Sequence, residues 1–308
     1  MANCLVTGGA GFIGSNLVDM LLEAGHRVVV VDNMSADNEG FYWNDKAENH
    51  AVDICDYEKI RPLFDGIDVV FHMAAESRLQ PSILNPVETA QKNVVGTCVV
   101  LQAAREAKVK RVVYSSTSSI YGLNPAPNVE TQERDCLNPY AVTKASGEDL
   151  CALYTKLYGL ETIILRYFNV YGERSPSFGQ YAPVIGIFLR QLKETGTLTI
   201  VGDGKQRRDF IHVKDVASAN IAAGFNEIDK KYYGQVFNVG SGKNISILEI
   251  GYIISKTKDF VFLPERPGEA KLTLANIEKI KNVLGWSPEI DVEGWIKSQS
   301  SDSSGPHT

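Results

Sequence analysis

The stretch "CLVTGGAGFIGSNLVDMLLEAGHRVVVVDN" (residues 4–33) decides the fold. It opens with a short apolar segment, passes through a glycine-rich turn into a pattern with Leu17, Leu21 and Leu22 on one helical face, and ends in a continuously apolar segment. The 3.6-residue period predicts a helix, and the uninterrupted apolar run is typical of a strand covered on both faces. The stretch therefore predicts a strand–helix–strand unit of a parallel sheet.

The alternation of strand and helix continues through the first half of the chain. Further strands are predicted at 68–74, 111–116 and 162–169, with helices over about 85–107 and 139–158. This order indicates the α/β class, with a Rossmann-type doubly wound parallel sheet. From Asn169 onward the elements become short and mixed, and Gly, Pro and Ser cluster between them. We expect a main domain over 1–168, to which some later elements return, a smaller mixed α/β lobe over 169–298, and a disordered polar tail over 299–308.

The composition narrows the classes of function. The chain has 308 residues and a net charge of -6, which argues against nucleic-acid binding, since that role usually needs a basic face. No apolar run reaches the roughly 18–20 residues of a membrane span, and the first residues already form a strand, so we expect neither a membrane segment nor a secretory signal. The five cysteines are scattered and odd in number, which favours reduced thiols and a cytoplasmic protein.

The turn "TGGAGFIG" (7–14) predicts a dinucleotide site. Gly9, Gly11 and Gly14 satisfy the GxGxxG spacing, and Gly8, Gly11 and Gly14 satisfy the related GxxGxxG spacing. Glycines here permit a tight turn and close approach of the backbone to a pyrophosphate, and the helix N-terminus adds free N–H groups. The position between a strand and a helix makes the motif far more specific than its letters alone.

Asp32 ends the second strand, 18 residues beyond Gly14. A carboxylate at this place accepts hydrogen bonds from the hydroxyls of the adenosine ribose. The residues that follow include no Arg or Lys to hold a 2′-phosphate, so NAD is favoured over NADP. Asp53 and Ile54, after a third strand, are expected to flank the adenine.

The pair Tyr140 and Lys144, in "YAVTK", predicts proton transfer. Four residues apart, the two side chains share one helical face. A tyrosine that acts as a base near neutral pH needs a pKa about 3 units below its ordinary value of roughly 10. A nearby ammonium and the positive ring of NAD⁺ both stabilise phenolate. We therefore expect Tyr140 as the base and Lys144 as its electrostatic partner.

The order of these motifs resembles a known family, the extended short-chain dehydrogenase/reductases that modify nucleotide-sugars. The resemblance covers about residues 3–297, and the UDP-glucose and UDP-N-acetylglucosamine 4-epimerases are closest in pattern. It rests on "TGGAGFIG" (7–14), Asp32, "HMAAE" (72–76), "NVVGT" (93–97), "SST" (115–117), "YAVTK" (140–144) and "RYFNVYG" (166–172). It implies NAD as cofactor, a UDP-sugar as substrate and no metal.

The resemblance also implies roles for individual residues. The catalytic set is Thr117, Tyr140 and Lys144. The NAD site comprises Gly8, Gly11, Phe12, Ile13, Gly14, Asp32, Asn33, Asp53, Ile54, Ala74, Ala75, Asn93, Ser115, Tyr140, Lys144 and Tyr167. The substrate site comprises Ser77, Ser116, Thr117, Asn169, Arg208, Arg266 and Glu269, the two arginines for the diphosphate and Glu269 for the uridine ribose.

Ser118 and Ser119 decide among the reactions of this family. Dehydratases of the family carry an Asp-Glu pair at these two positions, and the UDP-glucuronate decarboxylases carry a Glu at the second. Without those carboxylates, a 4-keto sugar can only be reduced again, and reduction on the opposite face inverts C4. The resemblance therefore implies an isomerase of carbohydrate metabolism, a UDP-glucose/UDP-galactose 4-epimerase.

Two positions leave the substrate open. Thr273 stands where hexose-only epimerases tend to have a bulky Tyr, which leaves room for UDP-GlcNAc/UDP-GalNAc. Arg78 is able to meet a carboxylate, which keeps UDP-glucuronate 4-epimerisation as the second hypothesis. An NADH-dependent 4-keto-sugar reductase would share every catalytic residue. A non-enzymatic NAD-binding role is disfavoured because Thr117, Tyr140 and Lys144 are all intact.

The two long helices carry apolar residues beyond one face, which would suit a homodimer held by a four-helix bundle, as is common in the resembled family. The residues concerned are Val94, Val95, Val99, Val100 and Leu101 on the first helix and Leu150, Leu153, Tyr154 and Leu157 on the second.

Overall fold

The computed structural model describes residues 1–35, 41–178, 182–257, 260–265 and 270–301. The strands in these ranges are β1 (Asn3–Thr7), β2 (Arg27–Asp32), β3 (Glu48–Ala51), β4 (Val69–His72), β5 (Arg111–Thr117), β6 (Glu161–Tyr167), β7 (Asn169–Tyr171), β8 (Leu198–Val201), β9 (Arg207–Arg208), β10 (Phe210–His212), β11 (Gln235–Val239), β12 (Ile245–Ser246) and β13 (Phe260–Leu263). The helices are α1 (Phe12–Glu23), α2 (Tyr57–Ile60), α3 (Leu79–Leu84), α4 (Pro86–Ala90), α5 (Gly96–Glu106), α6 (Pro139–Tyr158), α7 (Val184–Glu194), α8 (Val213–Phe225), α9 (Ile247–Ser255), α10 (Glu278–Leu284) and α11 (Val292–Ser301).

The main sheet has seven parallel strands in the order β11–β6–β5–β4–β1–β2–β3. Its central strands are apolar and buried along most of their length, as a sheet covered on both faces requires. One hydrophobic cluster lies on each face, the first under α1 and α8 and the second under α5 and α6. The predicted doubly wound Rossmann-type fold is confirmed.

The strand order reverses between β1 and β4. The chain leaves β1 toward β2 and β3 on one side, and it then returns to form β4 on the other. Thr7 and His72 are register partners at the carboxyl ends of these strands, and their side chains are hydrogen-bonded at 2.7 Å between Oγ1 and Nδ1. In such sheets the crevice outside this reversal point is where ligands bind.

The predicted helix over 139–158 is present as α6, but the helix over about 85–107 is not continuous. It comprises α4, a wider π-helical turn at Gln91–Val95, and α5. A π turn adds a residue to the helical circuit, and such turns frequently occur at functional sites.

Helices α5 and α6 pack against one face of the sheet. Three of the residues expected at a dimer seam, Val100, Leu101 and Tyr154, are instead buried in the core of the chain, because they point at the sheet. Val95, Leu153 and Leu157 are exposed. Of the helices in the described ranges, none combines the length and apolar character that a membrane span requires.

The chain after residue 168 contributes both to the main sheet and to a smaller lobe. Helix α8 covers the main sheet, and β11 extends that sheet beyond β6. Most of the remaining elements surround a third apolar cluster, which includes Tyr171, Phe188 and Ile250. At the end of the chain, α11 continues to Ser301, so residues 299–301, expected in the disordered tail, are helical, and residues 302–308 lie outside the described ranges.

Candidate active site

A cavity of about 540 Å³ opens at the carboxyl ends of the central strands. It is lined by every residue predicted for the NAD site except Asn93. The catalytic candidates Tyr140 and Lys144 lie in the same cavity as the glycine turn and Asp32. The fold thus brings together residues that are more than 100 positions apart in the sequence.

The glycine turn has the close approaches that its spacing predicts. Gly8 has a φ of +69°, in the left-handed region, and a Cβ there would lie 2.8 Å from the Ala74 nitrogen. A Cβ on Gly14 would lie 2.1 Å from the Gly8 carbonyl oxygen, so only glycine lets α1 begin directly against the turn. No side chain among the described residues caps the first turn of α1, which leaves its N–H groups facing the cavity for an anion such as a pyrophosphate.

Asp32 is 8% exposed at the end of β2 and lines the cavity. Its two carboxylate oxygens accept hydrogen bonds from the backbone N–H groups of Ala10, at 3.1 Å, and Met34, at 2.8 Å. Burial raises the pKa of Asp32, and these two hydrogen bonds oppose the rise. The backbone thus fixes the position of the carboxylate in the cavity wall. The glycine cradle and this acid, without a cation in 33–35, fit NAD.

Asn93 lies behind the cavity wall, in the π-helical turn. Its side-chain oxygen accepts from the Glu76 N–H at 2.7 Å, and its amide donates to the Glu76 carbonyl at 3.0 Å and to the Thr143 hydroxyl at 3.0 Å. Asn93 therefore joins the loop after β4 to the first turn of α6, which carries Tyr140. It supports the cavity without lining it.

Tyr140 is held in a buried setting that opposes ionisation. Burial raises the pKa of Tyr140, a hydrogen bond with the Thr117 side chain lowers it, and the charge of Glu76 raises it again. The chain alone therefore does not give the tyrosine the low pKa that its predicted role requires, because a lone hydrogen bond does not offset loss of water. The Thr117 oxygen already accepts the Ser119 N–H at 3.1 Å, so its hydroxyl hydrogen is available to the phenol oxygen.

Lys144 lies one helical turn beyond Tyr140, with its Nζ atom 4.3 Å from the centre of the Tyr114 ring. Burial lowers the pKa of Lys144 to about 8, and the charge of Glu148 acts in the opposite direction. His72 lies nearby, and burial followed by the charge of Lys144 lowers its pKa to about 3. His72 is therefore neutral, and Lys144 is a cation near neutral pH.

Two further cavities adjoin the first, of about 350 Å³ and 260 Å³. Leu79 lines all three, and Asn169 and Arg208 line both of the smaller ones. The Asn169 amide donates to the Asp209 carbonyl at 2.9 Å and to the Thr273 hydroxyl at 3.1 Å. These two predicted substrate residues thus lie at the junction of a continuous groove.

The remaining predicted substrate residues fall into three groups. Thr117 stands alone, since it is buried and lines none of these three cavities. Ser77 and Ser116 line the largest cavity, although the Ser116 hydroxyl is also bonded to a buried carboxylate. Arg266 and Glu269 lie outside the described residues.

Sequence reasoning missed several residues of the largest cavity, among them Val52, Met73, Glu76 and Lys92. Val52 directly precedes the predicted Asp53, and Met73 and Glu76 stand in "HMAAE" (72–76). All three lie at or just after the end of a predicted strand, so their position there would have indicated them. Lys92 precedes Asn93, and its ion pair with Glu88 looks like an ordinary pair on a helix surface. No signal in the sequence distinguishes Lys92 from a lysine in such a surface pair.

The chain was compared with known proteins. Residues 4–240 match the model of the NAD dependent epimerase/dehydratase family. A UDP-glucose 4-epimerase of Mycolicibacterium smegmatis is 38% identical over 306 residues, and the match covers 96% of each chain. A UDP-glucuronate 4-epimerase of Thermodesulfobacterium geofontis is 35% identical, and the match covers 96% of this chain and 94% of the relative. The crystal structure of a UDP-glucose 4-epimerase of Thermotoga maritima with UDP-glucose has a TM-score of 0.89 and 35% identity, covering 96% of each chain. The chain therefore belongs to the NAD-dependent epimerase/dehydratase family.

Proposed function

We propose that the protein is an isomerase that inverts C4 of a UDP-hexose, interconverting UDP-glucose and UDP-galactose. The proposal is carried by the smallest of the three cavities, which is lined by Ser118, Ser119 and Asn169. No described residue lining that cavity has a carboxylate. A base is present in Tyr140, but the described residues of this smallest cavity offer no acid and base that would remove water across C5–C6.

The chain's own residues then act on the proton and on the position of the sugar. Tyr140 accepts the proton of the sugar O4 and later returns it, and Thr117 donates a hydrogen bond to the phenol oxygen as negative charge develops there. The Lys144 ammonium stabilises the phenolate. When bound, NAD supplies the acceptor and donor of hydride at C4.

The diphosphate and the sugar are held by the junction of the two smaller cavities. Arg208 carries a guanidinium that matches phosphate geometry. Asn169, between the two cavities, is held by its bonds to Asp209 and Thr273. The small Thr273 side chain and the polar cavity beside it leave room for an N-acetyl group, so we extend the proposal to UDP-GlcNAc and UDP-GalNAc.

UDP-glucuronate is the second candidate substrate. Arg78 lines the cofactor cavity, with its Nε atom 3.6 Å from the Glu76 carboxylate. An arginine beside the reacting end of the groove is able to meet the carboxylate of a uronic acid. The relative that is named for this substrate shares 35% of its sequence with the chain.

NMR of the purified protein, incubated separately with UDP-Glc, UDP-GlcNAc and UDP-GlcA and without added NADH, tests the proposal. We expect equilibration of the C4 epimers of UDP-Glc. Equilibration of the C4 epimers of UDP-GlcNAc would show that the cavity beside Thr273 accommodates the N-acetyl group. Conversion of UDP-GlcA alone would select the second candidate. In a separate incubation with NADH and a 4-keto sugar, stoichiometric consumption of NADH would identify a reductase. Absence of C4 inversion in all three UDP-sugars would refute an epimerase.

We further propose that the protein is a cytoplasmic homodimer. All five cysteines are free thiols, which suits a reducing compartment. Val142, Leu153 and Leu157 form an exposed stripe on α6, and Val95 is exposed next to α5, each between 42% and 60% exposed. A second copy related by a two-fold axis would cover the stripe with the same two helices, as a four-helix bundle.

A further inference from the structure

Glu148 is a carboxylate that the proposed reaction does not use and that water does not reach. It is 1% exposed on α6, one turn beyond Lys144 and two turns beyond Tyr140. Because the spacing is four residues each time, the three side chains follow one face of the helix. A buried charge is stable only when it is paired and hydrogen-bonded, so its partners indicate what it holds.

Three side chains donate to Glu148. Arg166 on β6 approaches with two nitrogens, Nε at 2.8 Å and Nη2 at 2.7 Å, and Arg134 approaches at 3.2 Å. The third donor is the Ser116 hydroxyl, at 2.6 Å from Oε1. The two arginines are sufficient to neutralise the charge of the carboxylate. The bond to Ser116 has a different consequence, because Ser116 lies at the end of β5, next to Thr117.

The bond to Glu148 gives the Ser116 hydroxyl a fixed direction. A carboxylate only accepts hydrogen bonds, so the single hydrogen of Ser116 is committed to it, and toward the cavity the serine oxygen only accepts. Thr117 has the opposite arrangement, because its oxygen accepts the Ser119 N–H and its hydrogen remains to donate. The two adjacent hydroxyls thus differ in direction: Ser116 presents an acceptor to the cavity that holds Tyr140, and Thr117 keeps its hydrogen for the Tyr140 phenol oxygen.

Glu148 also sets the charge around Lys144. Burial raises the pKa of the Cys151 thiol, so Cys151 is neutral and Glu148 is the anion beside the ammonium. The groups that face Glu148 are Tyr114 and Ser116 from β5, Arg166 from β6, Arg134 and Cys136 from the loop before α6, and Lys144 and Cys151 from α6 itself. Of these, the arginines stay protonated because a guanidinium does not lose its proton in proteins, which leaves Lys144 as the cation that titrates.

We propose that Glu148 is a positioning residue for the reaction: it orients the Ser116 hydroxyl as an acceptor toward the sugar and supplies the buried negative charge beside Lys144. The proposal rests on the proposed function for the identity of the substrate. Neither role requires Glu148 to touch the substrate or the cofactor.

Glu148→Gln tests both parts at once. Arg166 Nη2 and Arg134 Nη2 both donate to Oε2, so the amide oxygen of the glutamine is held at that position. Its NH₂ group then takes the place of Oε1, where it faces Ser116 and reverses the direction of that hydroxyl. Loss of the charge lowers the pKa of Lys144. We expect kcat for C4 inversion to fall about tenfold or more, with little change in KM, and the alkaline limb of the pH profile to move down by about one pH unit.

Two further variants separate these effects from loss of folding. Ser116→Ala removes the acceptor and keeps the charge, so kcat should fall while the alkaline limb stays in place; this small change also decides the first part if Glu148→Gln does not fold. Glu278→Gln is the matched control, because it makes the same change at an exposed glutamate on α10 whose ion pair is with Lys281. It should keep wild-type kcat and pH profile.

A titration of Lys144 by NMR of lysine-labelled protein, assigned with Lys144→Met, gives a readout that does not depend on turnover. We expect Lys144 to titrate at lower pH in folded Glu148→Gln than in the wild type. Wild-type kcat in Ser116→Ala would overturn the first part, and an unmoved Lys144 titration in Glu148→Gln would overturn the second. An inactive wild type would instead refute the proposed function, so the two failures are distinguishable.

Discussion

At the scale of single residues, the proposed chemistry depends on Tyr140, which is almost surrounded by protein. Burial raises its pKa, and among the described residues the hydrogen bond with Thr117 opposes the rise. A phenol that resists ionisation in the free protein becomes a base only when a positive charge comes close. Lys144, a cation near neutral pH, lies in the same cavity.

Tyr140→Phe removes the oxygen that takes the proton and leaves the ring in place. We expect kcat for C4 inversion to fall roughly 10²–10⁴-fold, the usual contribution of a positioned acid or base. Bound NAD, measured after denaturation of the purified protein, should be unchanged because the glycine turn and Asp32 are intact. Tyr252→Phe, at a half-exposed position on α9, is the control. Full activity in Tyr140→Phe would remove this tyrosine as the base.

The two motifs that sequence reasoning identified from local spacing share one property: their chemistry is fixed over a few positions. The glycine turn spans eight residues, and Tyr140 and Lys144 are one helical turn apart. The network around Glu148 is different, because Ser116 lies 32 positions before it and Arg166 lies 18 positions after it. Such pairs meet only because β5 and β6 are neighbours under α6, which no local pattern encodes.

At the scale of elements, the π-helical turn at Gln91–Val95 links two parts of the cavity. Thr97, one turn beyond Asn93, donates to the Asn93 carbonyl at 2.6 Å and is bonded to the His72 Nε2 atom at 2.9 Å. The turn is therefore tied to the end of β4 as well as to α6. Apolar periodicity over 85–107 predicted a helix, but an extra residue within one turn barely changes that periodicity, so the sequence did not separate the π turn from regular helix.

Asn93→Ala should disturb this link. It leaves the part-buried N–H and carbonyl groups of Glu76 without their partner, so we expect a loss of roughly 1–3 kcal/mol in the free energy of unfolding. Because Thr143 is released as well, Tyr140 is less well positioned and kcat should fall in the protein that remains folded. Urea unfolding and steady-state assays measure the two effects. Gln91→Ala changes an exposed residue of the same turn and should leave both unaltered; equal losses in the two variants would contradict the role of Asn93.

At the scale of the whole molecule, the groove exists because the later chain supplies its second wall. The Rossmann-type half was predictable, since strands and helices there alternate and each strand is apolar. The later half was not, because β7, β9, β10 and β12 are two or three residues long and carry no period of their own. Helix α8 and β11 return to the main sheet because of packing: β11 pairs with the edge of β6, and α8 covers an apolar face of the sheet beside α1.

The proposed dimer gives the last prediction, because it depends on a surface that a single chain leaves uncovered. Leu153→Glu places a charge in the centre of the exposed stripe on α6, where burial against a second copy would require its desolvation. Sedimentation should show the wild type at twice the mass of the chain and Leu153→Glu at the mass of one chain, with an unchanged circular dichroism spectrum. Val261→Glu on β13 is the matched control, since Val261 and Leu153 are both 49% exposed and β13 lies away from α6. A wild type that sediments as a single chain, or a Leu153→Glu variant that remains dimeric, would show that this stripe is not the seam.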